Sequence, residues 1–261
     1  MACVVQPNRT YNHGMVQTAR FGAGLDDVAL NSQGSKLLGG FYRGAGTGPR
    51  PTAILLHGVP GVEKNLDIAY ALRDAEWNCL YFHYRGSWGS EGVYSFGGAL
   101  DDVAAAAEWV IEQPSVDPDH LAIVGNSFGG YLAFAATAAD IRYNATVSIS
   151  PLVDPAMVAV SSDIFDEFAI MLNGVGGEEL MSQWGALPSI LTMSAALSSR
   201  AMILITADQD ELFPPSHYEA LTGAVRSIDW KRIPEADHVF STARKRLVDM
   251  TVDWLLGAIN G

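Results

Sequence analysis

The sequence predicts an α/β fold, with a mostly parallel central sheet flanked by helices. Three observations lead there. Apolar runs at 52–56, 78–84, 121–124, 145–149, 201–206 and 228–233 are too short for lone helices and suit strands buried on both faces. Between them lie longer stretches with helical spacing, such as Leu100, Val103, Ala107, Val110 and Ile111, which form one apolar stripe. Turn residues rich in glycine and proline separate the two kinds of run. At 261 residues, 49% of them apolar, the chain suits one large domain with a sizeable core.

Composition narrows the function. No stretch approaches the roughly 18 uninterrupted apolar residues of a membrane span. Residues 1–10 lack a basic start followed by an apolar run, so a cytoplasmic location is the expectation. Cys3 lies in a polar stretch and Cys79 in an apolar run, which argues against a structural disulfide, and neither has metal-ligand company. A net charge of −13 argues against nucleic acid, whose phosphates would be repelled, and a neutral small molecule is the simplest partner. No cofactor, metal or membrane partner is called for, and a homo-oligomer stays open.

Taken in order, residues 1–25 show no period and read as an N-terminal arm. Residues 27–44 read as two strands joined by a turn at Asn31, Ser32, Gln33 and Gly34. A strand at 52–56 ends at His57-Gly58-Val59-Pro60-Gly61, and a helix is expected over 64–76. The strand at 78–84 leads to a loop that opens with Arg85-Gly86. Arg85 is expected to hold that loop, and His57 to be a structural, hydrogen-bonded residue rather than a base. A helix covers 98–113, Pro114 stops it, and 117–120 reads as a turn carrying an exposed His120.

The stretch 121–134 organises the rest. It runs Leu-Ala-Ile-Val-Gly-Asn-Ser-Phe-Gly-Gly-Tyr-Leu-Ala-Phe: a buried strand, then G-x-S-x-G, then a helix. In that context the turn holds Ser127 in a strained conformation with its hydroxyl above the strand ends. Gly125 and Gly129 leave room for the reversal. A serine hydroxyl is a poor nucleophile near neutral pH and needs a base to take its proton. An imidazole serves, because it titrates near neutrality and can return the proton to a leaving group. His238, between the last strand and last helix, is the candidate. His217, in a helix-forming run and expected to face solvent or the neighbouring loop, is the rival. A carboxylate must orient the imidazole. Asp208 and Asp210 both follow the 201–206 strand; Asp154 is a remoter option and Asp237 is too close to His238 in sequence.

Four segments occur in a telling order: 56–61, 125–129, 205–210 and 235–238. On these the chain resembles the α/β-hydrolase family over about residues 27–256. The resemblance implies an α/β-hydrolase core at 26–149 and 200–261, with residues 150–199 inserted as a helical cap over the serine. The alternative for 150–199 is an ordinary helical layer on the sheet. Family loops place the acid at the position matching Asp210, although Ala207 replaces their usual glycine. The implied catalytic set is Ser127, Asp210 and His238, and the implied oxyanion donors are the N–H groups of Val59 and Phe128. Phe165, Phe168, Met171, Met181 and Trp184 are the candidate pocket lining. The likeness is closest to small capped esterases and to catalytic domains of acylaminoacyl-peptidase-like enzymes. The expected activity is cleavage of carboxylic esters with small to medium acyl chains. A peptidase or thioesterase is the near alternative, and a non-catalytic ligand-binding protein the remote one. Serine at the nucleophile position excludes a dehalogenase-like reading.

Overall fold

The computed structural model describes residues 20–260. Residues 1–19, and with them Cys3 and most of the predicted arm, lie outside the described residues. Strand pairing begins early: Arg20–Phe21 pairs with Gly46–Thr47, so the end of the 1–25 stretch already takes part in sheet structure.

Eight strands form the main sheet: β1 (Gly24–Ser32), β2 (Ser35–Arg43), β3 (Arg50–Leu56), β4 (Asn78–Phe82), β5 (Val116–Asn126), β6 (Tyr143–Ile149), β7 (Met202–Ala207) and β8 (Ile228–Ile233). Their spatial order is 8-7-6-5-3-4-2-1. β1 and β2 pair antiparallel, as do β2 and β4, and every other pair is parallel. The β1–β2 turn is where the sequence put it, with Gln33 and Gly34 both at positive φ and the Asn31 side chain accepting the Gly34 N–H.

Successive residues of a strand face opposite sides of a sheet, and both sides here are apolar. Ile54, Leu56, Leu121, Ile123, Met202 and Leu204 belong to one core layer. Ala53, Leu55, Ala122, Val124, Ile203 and Ile205 belong to the other. Helices α2 (Phe96–Ile111) and α3 (Phe128–Ala139) cover the first side. Helix α1 (Leu66–Asp74) and the C-terminal helix Arg244–Asn260 cover the second. Two-sided burial explains why the central strands read as unbroken apolar runs. α3 is buried all round from Phe128 to Thr137, which is why it lacks an amphipathic pattern.

Two expectations are corrected. Residues 117–120 are not a turn but the start of β5, because Val116 pairs with Arg50 of β3 across an irregularity in register. His120 is half-exposed there and lies 2.7 Å from Asp117 Oδ2. Helix α2 begins two residues earlier than its periodicity predicts, because the Ser95 side chain accepts the Gly98 N–H and caps it.

Between β6 and β7 the chain leaves the sheet and forms α4 (Ser162–Met171), α5 (Gly177–Ala186) and a short α6 (Ser194–Leu197). This segment is tied down at the junction of its helical pair and near the end of α5. Asn173 N–H donates to Gly86 O at 2.7 Å and Tyr94 N–H to Asn173 O at 3.0 Å, while Gln183 Oε1 accepts the Phe96 N–H. Helix α7 (Ser216–Ala224) and the C-terminal helix, here α8, complete the chain.

Candidate active site

Ser127 sits where β5 ends and α3 begins, at φ 56° and ψ −120°. A residue with a Cβ pays for that conformation, and the surroundings impose it. The Ser127 N–H donates to Ile149 O at 2.9 Å, and the Ser127 carbonyl accepts from Gly130 and Tyr131. The reversal is so tight that a Cβ on Gly125 would fall 2.0 Å from Gly129 O, and one on Gly129 would fall 2.4 Å from Leu56 O. The G-x-S-x-G spacing is therefore a steric requirement of a strand, a one-residue elbow and a helix packed against β3. The positive end of α3 faces the serine.

His238 Nδ1 lies 2.8 Å from Asp210 Oδ2. The other carboxylate oxygen, Asp210 Oδ1, accepts the N–H groups of Leu212 and Phe213 at 2.9 and 2.8 Å. Both side chains are buried. Burial alone would raise the Asp210 carboxyl. The His238 hydrogen bond and charge, with the two N–H groups, outweigh it and hold the acid below its usual range. Asp208 is occupied elsewhere, accepting from Arg232 Nε at 2.7 Å on the surface. Asp237 binds the N–H and hydroxyl of Ser241, and Asp154 caps its own turn at Ala156. Only Asp210 of the four carboxylates meets His238.

The rival imidazole is placed differently from the expectation of a solvent-facing residue. His217 is buried, stacks on Phe213 at 5.1 Å, and accepts the Val153 N–H through Nε2 at 2.8 Å. Burial lowers its proton affinity. It braces the acid loop against the 150–153 turn.

One cavity of about 340 Å³ brings the predicted residues together. Ser127, His238, Val59 and Phe128 line it, along with Phe165, Phe168 and Trp184. Among the described residues, the Val59 and Phe128 N–H groups donate no hydrogen bond. Met171 and Met181 are not part of the wall. Met171 lies on the same helical face as Ile164 but a turn beyond the cavity, in a groove beside 86–90. Met181 lies one residue round the helix from the buried Leu180 and is 44% exposed. Met157, Val158, Val160, Glu211 and Leu212, which the sequence did not single out, also line the cavity. Their only signal was an apolar run without period just before α4.

Arg85 holds its loop as expected. Its Nε donates to the fully buried Asp102 at 2.8 Å, and its other nitrogens reach Gln33 and Ser32. His57 is also structural: it is buried, with Nδ1 2.7 Å from Gly58 O. Burial, aided slightly by Lys64 and opposed by that carbonyl, brings its imidazole down from 6.5 to about 4. Between those values the unfolded chain binds a proton that the folded one refuses, so stability falls on acidification through pH 6.5 to 4. His57→Asn removes that proton. The gap in unfolding free energy between pH 7 and pH 4 should shrink by up to about 3 kcal/mol. An unchanged gap by chemical denaturation would mean that folded His57 takes up the proton.

No helix among the described residues is long and apolar enough to cross a membrane. The strand order, with Ser127 on the elbow after β5, defines an α/β-hydrolase. The chain belongs to the prolyl oligopeptidase family, whose model matches residues 67–261. An uncharacterised protein of Mycobacterium tuberculosis is 33% identical over 42% of this chain and 40% of its own length. Acylamino-acid-releasing enzyme 1 of Oryza sativa is 28% identical over 52% of this chain and 19% of its own. The chain thus spans less than half the length of these curated relatives. Among solved structures, Est1E of Butyrivibrio proteoclasticus with ferulic acid bound superposes with a TM-score of 0.73 at 16% identity, covering 90% of this chain and all of Est1E.

Proposed function

We propose that the protein is a carboxylesterase that cleaves esters of small to medium acyl chains through an acyl-Ser127 intermediate. The observation that carries this reading is the cavity itself, which Ser127 and His238 line together with apolar side chains from 157–184. Ser127 Oγ attacks the ester carbonyl carbon, and its proton passes to His238 as the new C–O bond forms. The carbonyl electron pair moves onto oxygen, where the N–H groups of Val59 and Phe128 receive the charge. When C=O re-forms, the bond to the alcohol breaks and His238 returns the proton to the departing oxygen. Water repeats the sequence on the acyl-enzyme, with the serine as leaving group. Asp210 holds the imidazole in the required tautomer through Nδ1. No cofactor enters these steps. The same proposal includes a cytoplasmic enzyme with small-molecule substrates.

Residues 150–199 act in this reading as a cap that sets pocket depth. Phe165, Phe168 and Trp184 form its inner face, with Phe165 and Trp184 packed edge to face at 5.9 Å. A volume of about 340 Å³ suits acyl chains of a few carbons. Acetyl to hexanoyl esters should be cleaved best, by a graded margin, since one methylene changes discrimination by only about 1–3 kcal/mol. Phe168→Ala and Trp184→Ala should shift the optimum toward longer chains. The deciding measurement is kcat/KM across p-nitrophenyl esters of graded length; an identical profile in parent and both variants would remove the cap from specificity. The family match and the Oryza sativa relative favour a second reading, an acylaminoacyl peptidase. Acetylaminoacyl anilides run beside matched esters and thioesters decide it, because a peptidase must keep its rate when the leaving group is an amine.

A further inference from the structure

Residues 57–61 leave β3 beneath Ser127 and carry one of the two free N–H groups, that of Val59. A trans peptide unit is planar, so its C=O and N–H point in opposite directions. Whatever grips the Gly58 carbonyl therefore also aims the Val59 N–H. His57 Nδ1 lies 2.7 Å from that carbonyl, and because a carbonyl only accepts, Nδ1 carries the imidazole proton. The backbone carbonyl of His57 is held in turn by the Tyr84 hydroxyl at 2.9 Å. From the other end, Trp88 Nε1 donates to Pro60 O at 2.7 Å. Gly61, at φ 94°, lies between the two donors: a Cβ there would fall 2.6 Å from His57 Nδ1 and 2.8 Å from Trp88 Nε1.

His57 packs against the rings of Tyr84 and His83, and Trp88 against that of His83, but packing alone does not call for their polar atoms. His57 is buried with Nε2 unpartnered, a cost that a leucine of similar size would avoid. Trp88 is 41% exposed yet held at φ 47°, where a residue with a Cβ is strained. Both costs fall where a donor meets the 57–61 segment. Neither residue lines the cavity.

We propose that His57 and Trp88 are positioning residues: His57 fixes the plane of the Gly58–Val59 peptide and so aims the Val59 N–H at the oxyanion formed on Ser127, and Trp88 anchors the segment one peptide further on, at Pro60. This rests on the serine-hydrolase reading of Ser127.

The test compares the parent with His57→Leu, His57→Asn and Trp88→Phe on p-nitrophenyl butyrate. It also measures inhibition by n-butylboronic acid, which forms a tetrahedral anion on a serine. Leucine removes the donor, whereas the asparagine amide places an N–H where Nδ1 stood. His57→Leu should lower kcat about 10²-fold with KM within about threefold, as loss of an oxyanion donor does. Boronate affinity should weaken in the same proportion as kcat/KM, because both report binding of the tetrahedral anion. His57→Asn should recover kcat to within about tenfold of the parent. Trp88→Phe keeps a ring beside Lys64, 4.7 Å away in the parent, but loses the donor, and should cost about tenfold in kcat. Equal losses in the leucine and asparagine variants, unchanged boronate affinity, or kcat within threefold of the parent in His57→Leu would each overturn the proposal. If His57→Leu does not fold, full kcat in Trp88→Phe overturns it. Fluorophosphonate labelling of the parent separates the two readings. A parent that neither labels at Ser127 nor hydrolyses ester brings down both, whereas a labelled, active parent with indifferent variants brings down this one alone.

Discussion

Ser127→Ala should lower kcat/KM for p-nitrophenyl butyrate by about 10⁴-fold or more, because a hydrolase stripped of its nucleophile keeps only binding and oxyanion stabilisation. The fold should survive, since the backbone bonds that hold the elbow run through the Ser127 N–H and C=O and not its hydroxyl. A companion variant tests the strain. Ser127→Gly should be as inactive as the alanine variant yet more stable by about 1 kcal/mol, because φ 56° with ψ −120° is free for glycine alone. Activity within tenfold of the parent in Ser127→Ala, with phosphonate labelling at another residue, would sink the assignment. A glycine variant less stable than the alanine one would mean that the elbow is not strained in solution.

Asp210→Asn should lower kcat by about 10³–10⁴-fold, and Asp208→Asn by no more than about twofold. The two carboxylates lie on one loop with different partners. Asp210 accepts from His238 and from two backbone N–H groups, whereas Asp208 accepts from the half-exposed Arg232. An amide at 210 presents an N–H or a carbonyl to His238 Nδ1. Neither carries the charge that stabilises an imidazolium, and the N–H form imposes the wrong tautomer. Steady-state kinetics of both variants decides the point. A larger loss from Asp208→Asn would move the acid two residues upstream.

These predictions start from features that the chain discloses at different levels. The elbow was legible because its constraints are local: Gly125 and Gly129 must be small to turn a buried strand into a packed helix, whatever else is present, and the residue between them is the one the turn exposes. The central strands were legible because burial on both faces leaves unbroken apolar runs. The order of oxyanion segment, serine, acid and histidine followed from the order of the strands that carry them.

The choice between Asp208 and Asp210 is of another kind. Both sit in the same polar loop, and no local property of Asp-Gln-Asp distinguishes them. The choice is made by the Leu212 and Phe213 N–H groups and by the arrival of His238 from beyond β8. His217 was misplaced for the same reason: a helix-forming run does not reveal that the 150–153 turn will bury its outer face. The 150–199 helices showed their apolar periods, but a period gives a face and not what the face meets. Phe165, Phe168 and Trp184 turn onto the cavity. Met171 is carried past it by one turn of rise, and Met181 is rotated away by one residue. The sequence alone determined the elements, the elbow and the chemistry available at its tip. The tertiary structure decided which carboxylate, which imidazole and which apolar side chains share one space with it, because those choices depend on contacts between residues far apart in the chain.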